Sequence, residues 1–328
     1  MNTANVTVVI PNWNGMDLLG RCLDSLVAQN LKSNVIVVDN GSTDGSKEYI
    51  KKTYPMVRLI ELDKNHGFAG GVNAGIGAAL KDDATYIALL NNDAVADKAW
   101  LEQLVKTAGH APKAGIVTSK ILRSDKKHLD STGDFYSIWG LPFPRGRNEL
   151  DHGQYDHQTE IFGASGGASL YSAGMLEQIG LFDESFFAYF EDVDISFRAQ
   201  LAGWKVQYQP KAVVYHEVGA TSSKMGSFSL YHSSKNFMLL YAKNMPLKLY
   251  LKYLPFFMLQ LCRWFITSLL RGKIVGFLKG LLVAIGLTPH IIKQRHYIQK
   301  SRTVSVPYID SMLYHHRPPR PSKLKEIS

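Results

Sequence analysis

Short apolar runs that stop at Asn, Asp or Pro, with helix-like segments between them, constrain this chain more than any other feature. Residues 6–10 (VTVVI) stop at Pro11, residues 35–38 (VIVV) at Asp39-Asn40-Gly41-Ser42, and residues 86–90 (YIALL) at Asn91-Asn92-Asp93. Residues 57–62 make a further run, and residues 116–118 begin another. Runs of this length and apolarity read as strands buried on both faces. Between them, apolar side chains at 18, 19, 22, 23, 26 and 27 have the spacing of one helix face. Residues 46–54, 70–80 and 98–108 also read as helices. Strands alternating with helices predict an α/β fold built on a doubly wound, mostly parallel sheet.

In open sheets of this kind, ligands bind at the carboxyl ends of the strands. Here those ends carry Asn12 and Asn14, then Asp39, then Asp93. Asp39 can accept a hydrogen bond from a base N–H, and Asn40-Gly41-Ser42 offer backbone donors to a ribose or phosphate. The same dipeptides also make ordinary turns. Residues 65–75 (NHGFAGGVNAG) are glycine-rich and open a helix, where phosphate can sit. Their spacing is not GxGxxG, and no GxxxxGK[ST] occurs, which disfavours a dinucleotide dehydrogenase or a P-loop NTPase. Asp93 suits Mg2+ or Mn2+ completed by diphosphate oxygens, or else simply ends a strand.

The stretch 187–203 (FAYFEDVDISFRAQLAG) concentrates acid next to aromatic rings. Glu191, Asp192 and Asp194 fall within four residues. On a helix starting at 191, residues 191, 194, 195 and 198 share one face, and 192, 196 and 199 the next. Apolar surroundings can raise one carboxylate's pKa and make it a usable base. The alternative is a solvated helix start, where acid favours the dipole. Before this stretch, residues 122–160 are rich in Asp, His, Gly and Pro without a period and read as a variable insertion over the sheet edge, an acceptor-side loop. Residues 163–168 (GASGGA) are small enough to let backbone pass close to a ligand. Residues 173–179 read as a short helix, and 206–208 and 213–215 as two strands, the second followed by His216.

The net charge of +9 hides an asymmetry. Residues 218–309 contain 13 Lys and Arg and no Asp or Glu, leaving 24 basic and 28 acidic residues elsewhere. Within 241–287 the apolar runs are broken by Arg263, Arg271, Lys273 and Lys279, so none reaches the roughly 18 uncharged residues of a spanning helix. Basic residues among Trp, Phe and Leu fit a surface that lies in the membrane interface and is drawn to anionic headgroups. A helical cap with its cations in water is the alternative. The stretch is too apolar for nucleic acid and carries no such motif. The tail from Ser301, with four prolines, reads as extended. Cys22 and Cys262 lack metal-ligand spacing and fit a reducing compartment. The first fifteen residues show no secretory pattern.

Taken in order, VVIPNWNG, VVDNGSTDGS, NHGFAGGVNAGI, LLNNDA, GASGGASLY, GLFDESFFAYFEDVDISFRAQLAGW and VVYHEVGATS resemble family 2 glycosyltransferases of the GT-A fold, nearest their bacterial rhamnosyltransferase-like branch. The resemblance covers residues 6–222. It implies that Pro11, Asn12 and Asn14 contact the nucleotide, that Asp39 holds the pyrimidine base with Asn40 and Ser42 also on the donor, and that Asn65, Gly67, Gly70, Gly71 and Asn73 lie beside the ribose and diphosphate. Asn92 and Asp93 match the end of a DxD metal motif that here reads Asn-Asn-Asp, one carboxylate short. His216 matches a position that completes the metal shell. Asp192 matches the base, with Asp194 as runner-up. Glu191, Asp194, Arg198 and Trp204 fall on the acceptor or diphosphate side, although the full QxxRW pattern is missing.

The resemblance implies an inverting transfer of a sugar, L-rhamnose from dTDP-rhamnose, onto a lipid-linked or cell-surface glycan. A UDP-hexose donor, or a non-catalytic nucleotide-sugar binding protein, is the alternative. Mg2+ or Mn2+ is the expected cofactor. The expected organisation is a catalytic domain over 1–222, a basic amphipathic helical region over 223–300 and an extended tail over 301–328. That organisation predicts peripheral attachment to an anionic membrane, at the cytoplasmic face of a bacterial inner membrane, and leaves room for a homodimer.

Overall fold

The structure, a computed structural model, describes residues 5–111, 113–217 and 226–319. The strands are β1 (Val6–Asn12), β2 (Asn34–Asp39), β3 (Arg58–Glu61), β4 (Tyr86–Leu90), β5 (Ala94–Ala96), β6 (Ala114–Arg123), β7 (Leu129–Ser131), β8 (Asp134–Tyr136), β9 (Pro142–Pro144), β10 (Glu160–Ile161), β11 (Ala168–Ser172) and β12 (Lys205–His216). The helices are α1 (Met16–Val27), α2 (Ser46–Thr53), α3 (Gly67–Lys81), α4 (Trp100–His110), α5 (Ala173–Ile179), α6 (Glu191–Leu201), α7 (Gly226–Asn244), α8 (Leu247–Leu270), α9 (Ile274–Gly286), α10 (Thr288–Lys300) and α11 (Val306–Met312).

The main sheet runs β10-β12-β6-β11-β4-β1-β2-β3. Strands β1 to β4 are parallel to one another, as are β6 and β12. Alternating side chains feed two layers. Val6, Val8 and Ile10 pack with α1 and α4, while Val9 packs with α3, α5 and α6 on the other face. This is the doubly wound GT-A arrangement. Its register sets Asn12 beside Asp39, so both loops leave at the same edge.

Strand β11 lies antiparallel between β4 and β6 and was hidden in a run of small residues. Its start, Ala168 and Ser169, continues the small-residue run, and Leu170 and Tyr171 alone are too short to signal a strand. The two short strands expected over 206–215 are one, β12, with register shifts on β6 between Lys205 and Val206 and between Gln209 and Val213. The 122–160 insertion is more ordered than its composition suggests. Strands β7 to β9 fold back over the sheet edge. Arg145 donates to the Thr132 and Gln158 carbonyls, and Lys120 pairs with Asp151 and Asp156.

Helices α7 to α11 form a third apolar layer against α6, with Phe237, Tyr241 and Phe257 stacked at its centre. The expectation of an extended tail from residue 301 is corrected for 306–312. Ser305 caps α11, Pro307 starts it, and Ile309 is fully buried. Residues 320–328, and the end of VVYHEVGATS from 218, lie outside the described residues. The expectation of no helix of spanning length is corrected too. Helix α8 continues through Arg263, and its 24 residues are long and apolar enough to cross a membrane by length and composition. Helices α9 and α10 meet that test together but bend by 60°.

Helix α3 sits so close to β1 that a Cβ on Gly75 would lie 2.3 Å from Val9 Cγ1 and 3.0 Å from Val38 Cγ2. Gly75→Ala should therefore lower stability by about 1–3 kcal/mol in urea denaturation. An unchanged midpoint would show that α3 can lift off the sheet without cost.

Candidate active site

A cleft of about 460 Å3 opens at the carboxyl edge of the sheet. Strand β1 brings Pro11 and Asn12 to it, the loop after β2 brings Asn40, and the segment entering α3 brings Asn65 and Gly67. Asn92 and Asp93 follow β4, Glu191 and Asp192 open α6, and His216 ends β12. Residues far apart in the chain thus share one cavity because each follows, or leads into, an element of the same sheet and its flanking layer.

Asp192 faces the cleft with both oxygens engaged. Gly166 N–H donates to Oδ2 at 3.0 Å and Val193 N–H to Oδ1 at 2.8 Å. Burial raises its pKa, and these two amides and the charge of Arg147 oppose the rise. Glu191 has no amide partner beyond its own, and its Oε2 is buried without a hydrogen bond. Burial and the Asp192 charge push it up to about 8. Asp134, from the insertion, lines the same cleft and is raised to about 7 by burial and then by Asp192. Of the three, Asp192 is the one whose anion two backbone amides support.

Asp93 and His216 line the same cleft and face each other. Asp93 Oδ1 lies 3.1 Å from His216 Nε2, and that oxygen is buried with no other hydrogen-bond partner. His216 Nδ1 pairs with Asp130 Oδ2 at 2.9 Å, and Asp130 Oδ1 in turn lies 3.1 Å from Arg147. Burial opposes a charge on His216, yet the two carboxylates raise it to about 9. A carboxylate oxygen whose partner is an imidazole nitrogen, with Asp130 holding the other ring nitrogen, fits a divalent cation that would displace the shared proton. Among the described residues, no cluster of three or more His, Cys, Asp or Glu could hold a metal unaided. The fit therefore calls for oxygens from a bound diphosphate.

Other expected residues stand behind the cleft or away from it. Asp39 is fully buried and spends its carboxylate on the Ser42 amide, at 2.9 Å, and on Asn12 Nδ2, at 3.2 Å. Ser42 accepts from the Asn14 amide, and Asn14 accepts from that of Thr43, so these residues shape the loop from behind. Gly70, Gly71 and Asn73 do not line the cleft, which corrects their expected contact. Asn73 clasps the backbone of Phe182, and a Cβ on Gly71 would meet Asn40 Nδ2 at 3.1 Å. The phosphate reading of the α3 N-terminus is weakened as well. The Gly67 amide bonds Asn65 Oδ1, and the Ala69 amide bonds the Phe187 carbonyl.

Asp194, Arg198 and Trp204 are also corrected. Asp194 is fully buried between Arg198, Lys243 and Asn244. Arg198 donates to the carbonyls of Ile179, Gly180 and Leu181. Trp204 donates to Gln178. All three join α6 to its neighbours, because the helix face carrying 194 and 198 points away from the one carrying 192. Asp194 is therefore no substitute base.

Reasoning from sequence missed Asp130, Asp134 and Arg147, which no motif flags. It also missed the backbone before α6. Phe187 (φ 64), Tyr189 (φ 70) and Phe190 (φ 71) all lie in the left-handed region. Each such non-glycine residue costs about 1–3 kcal/mol and persists only where its surroundings fix it.

A GT-A sheet with a carboxylate-lined cleft at its carboxyl edge defines a glycosyltransferase. The profile described as glycosyl transferase family 2 matches residues 7–180, more than half the chain, and the chain belongs to that family. Over 245 residues it is 28% identical to the N-acetylglucosaminyl-diphospho-decaprenol L-rhamnosyltransferase of Mycobacterium tuberculosis, covering 68% of this chain and 79% of that one. Among solved structures, the mannosyltransferase PcManGT from Pyrobaculum calidifontis, in complex with GDP-Man and Mn2+, superposes with a TM-score of 0.54 at 17% identity, over 94% of this chain and 83% of that one. S. aureus TarS 1-349 superposes with a TM-score of 0.55 at 13% identity, over 94% and 89%. At such identities the two structures speak for the fold.

The Glu191 shift has a stability consequence. Between its ordinary 4.5 and about 8, the folded chain keeps a proton that the unfolded chain releases. This group therefore costs stability as pH rises through that window. Glu191→Gln, neutral throughout, should gain melting temperature on the parent by about 4 °C or more between about pH 5 and pH 8. A gap that does not widen with pH would mean that Glu191 ionises freely in the fold.

Proposed function

We propose that this glycosyltransferase moves L-rhamnose from dTDP-rhamnose to a lipid-linked glycan with inversion, using Asp192 as the base. The observation that carries the reading is the placement of Asp192. It lines one cleft with Asp93 and His216, and its anion is held by the Gly166 and Val193 amides. A single supported carboxylate suits one displacement, in which it takes the acceptor's hydroxyl proton as that oxygen attacks the anomeric carbon. A double displacement would need a separate nucleophile. The likeness to a decaprenol-linked L-rhamnosyltransferase favours this sugar and this acceptor class.

Asn12, Asn40 and Asn65 on the nucleotide side hold the donor, with Asp39 and Ser42 keeping that wall in shape. Asp93 and His216 would hold Mg2+ or Mn2+, which would offset charge growing on the leaving diphosphate. Arg147, in the cleft beside Asp134 and Asp192, adds a fixed positive charge. Asp134 and Glu191, both raised, are the further proton-bearing groups facing the sugar.

The same reading places the protein on the cytoplasmic face of a bacterial inner membrane. One face of α8 (Leu249, Tyr253, Phe257, Gln260 and Ser268) packs on the protein, whereas Leu259, Phe265, Ile266, Leu269 and Leu270 are exposed. On α9, Val275, Leu282 and Ile285 extend that apolar surface, and Arg271, Lys273 and Lys279 are exposed around it. With one side packed on the protein, the exposed apolar side lies in the membrane interface. The basic residues select anionic headgroups.

Asp192→Asn should cut transfer from dTDP-rhamnose by about 10²–10⁴-fold while calorimetric donor binding survives. Turnover at the parent rate would remove Asp192 from the base's role. UDP-glucose and UDP-galactose run in parallel decide the donor. For the membrane, the full chain should float with anionic vesicles, lose most of that binding in high salt, and lose it in Ile266→Glu/Leu270→Glu. A parent that stays at the bottom of the gradient rules the attachment out.

A further inference from the structure

The left-handed turn before α6 has no glycine to ease it, and its shape decides where Asp192 points. Phe187, at φ 64 and ψ −64, closes a tight three-residue turn in which the Ala188 amide donates to the Phe186 carbonyl at 2.8 Å. Phe190, at φ 71 and ψ 0, then starts α6, and its carbonyl accepts from the Asp194 amide at 2.9 Å. Asp192 sits one residue inside that first bond.

Two elements grip the turn. From the sheet side, the Ala69 amide of α3 donates to the Phe187 carbonyl at 3.2 Å. The approach is so close that a Cβ on Gly67 would lie 2.3 Å from that oxygen. From the rear, α7 supplies Asn236, which is fully buried. The two hydrogens of its Nδ2 are shared among three carbonyls, Phe186 at 3.0 Å, Ala188 at 2.8 Å and Tyr189 at 2.6 Å. Its neighbour Lys235 donates to the carbonyls of Ser185 and Phe186. One helical turn earlier, the His232 ring stacks on Phe187 at 5.0 Å.

We propose that Asn236 is a positioning residue for the reaction: it holds the Phe187–Phe190 turn in the one shape that aims Asp192 into the cleft. The inference rests on the reading of Asp192 as base. Without the Asn236 side chain, the Ala188 and Tyr189 carbonyls would be left without their buried donor, in a backbone already in its least favoured region. The turn would relax, and α6 would start from a different point. Helix α7, like Asp192 itself, lies beyond residues 7–180 that the family profile matches. That segment also packs on α9, where the Ser234 hydroxyl donates to the Phe277 carbonyl, so the exposed apolar surface and the catalytic turn share one support.

The test compares the full-length parent with Asn236→Leu, which keeps the bulk and loses the donor, and with the milder Asn236→Ser should the first not fold. Hydrogen exchange by mass spectrometry follows the peptide spanning 184–194 against peptides from β1 and β4. Transfer from dTDP-rhamnose and binding of dTDP are measured alongside. The expected result is faster exchange confined to 184–194, kcat lower by on the order of 10²-fold, and donor KM and dTDP affinity close to the parent's. Unchanged exchange at 184–194, or exchange and donor KM rising together across the whole chain, would overturn the assignment. The exchange readout needs no substrate. A parent inactive on dTDP-rhamnose therefore defeats the donor reading, and Asn236 is then judged on exchange alone. Loosened exchange with kcat retained means that the turn is held by Asn236 but that Asp192 is not the base.

Discussion

Crowded acid is the constraint on which this site depends. Asp93, Asp134, Glu191 and Asp192 line one cleft, with Asp130 behind His216, and each ionised carboxylate raises the free energy of the next. The fold resolves the crowding in three ways. Asp130 and Asp93 share the imidazole of His216, and Arg147 closes that chain from the far side. Asp192 takes two backbone amides. Asp134 and Glu191 have neither and keep their protons into the neutral range. A cleft so built favours a cation bound together with an anionic diphosphate over either alone, because each screens what would otherwise repel the other.

The rear helices belong to this arrangement and are not an appendage to it. Lys243 of α7 lies 2.6 Å from Asp183 and 2.8 Å from Asp194, and His290 of α10 also meets Asp183. Burial opposes the charge on Asp183, yet these partners hold its carboxyl well below the usual range. Breaking such a buried pair on one side leaves an uncompensated charge, which is why the two layers behave as one body. A boundary near residue 223 is therefore a boundary in composition, with no matching gap in packing.

How much of this was legible follows from what each feature leaves in the sequence. The parallel strands announced themselves through apolar runs, and α5 and α6 through their periodicity and acid. Strand β11 (ASLYS) did not, because Leu170 and Tyr171 between Ala and Ser make too short an apolar run, and its place was decided by the gap between β4 and β6. The cleft residues from β1, β2, β4 and α6 were legible because polar residues at strand ends share an edge by topology. Arg198 and Asp194 misled for the reason that makes them important: a buried ion pair at i and i+4 looks the same in sequence as a functional one. Asp39 was placed at the right edge, but its direction, into the loop and not the cleft, depends on Ser42 and Asn12. Asp134, Arg147 and Asn236 were invisible, since their partners are backbone atoms or carboxylates brought near only by folding.

The account stands on one spatial claim, that a nucleoside diphosphate and its cation bind at Asp93 and His216 in the cleft that Asp192 lines. Anomalous diffraction from crystals grown with dTDP and Mn2+ addresses it most directly. The account predicts a single manganese peak bonded to Asp93, His216 and the diphosphate, with the Asp192 carboxylate facing the open side of the terminal phosphate. Manganese and nucleotide bound elsewhere on the chain, or bound here with Asp192 turned away from the phosphate, would contradict it.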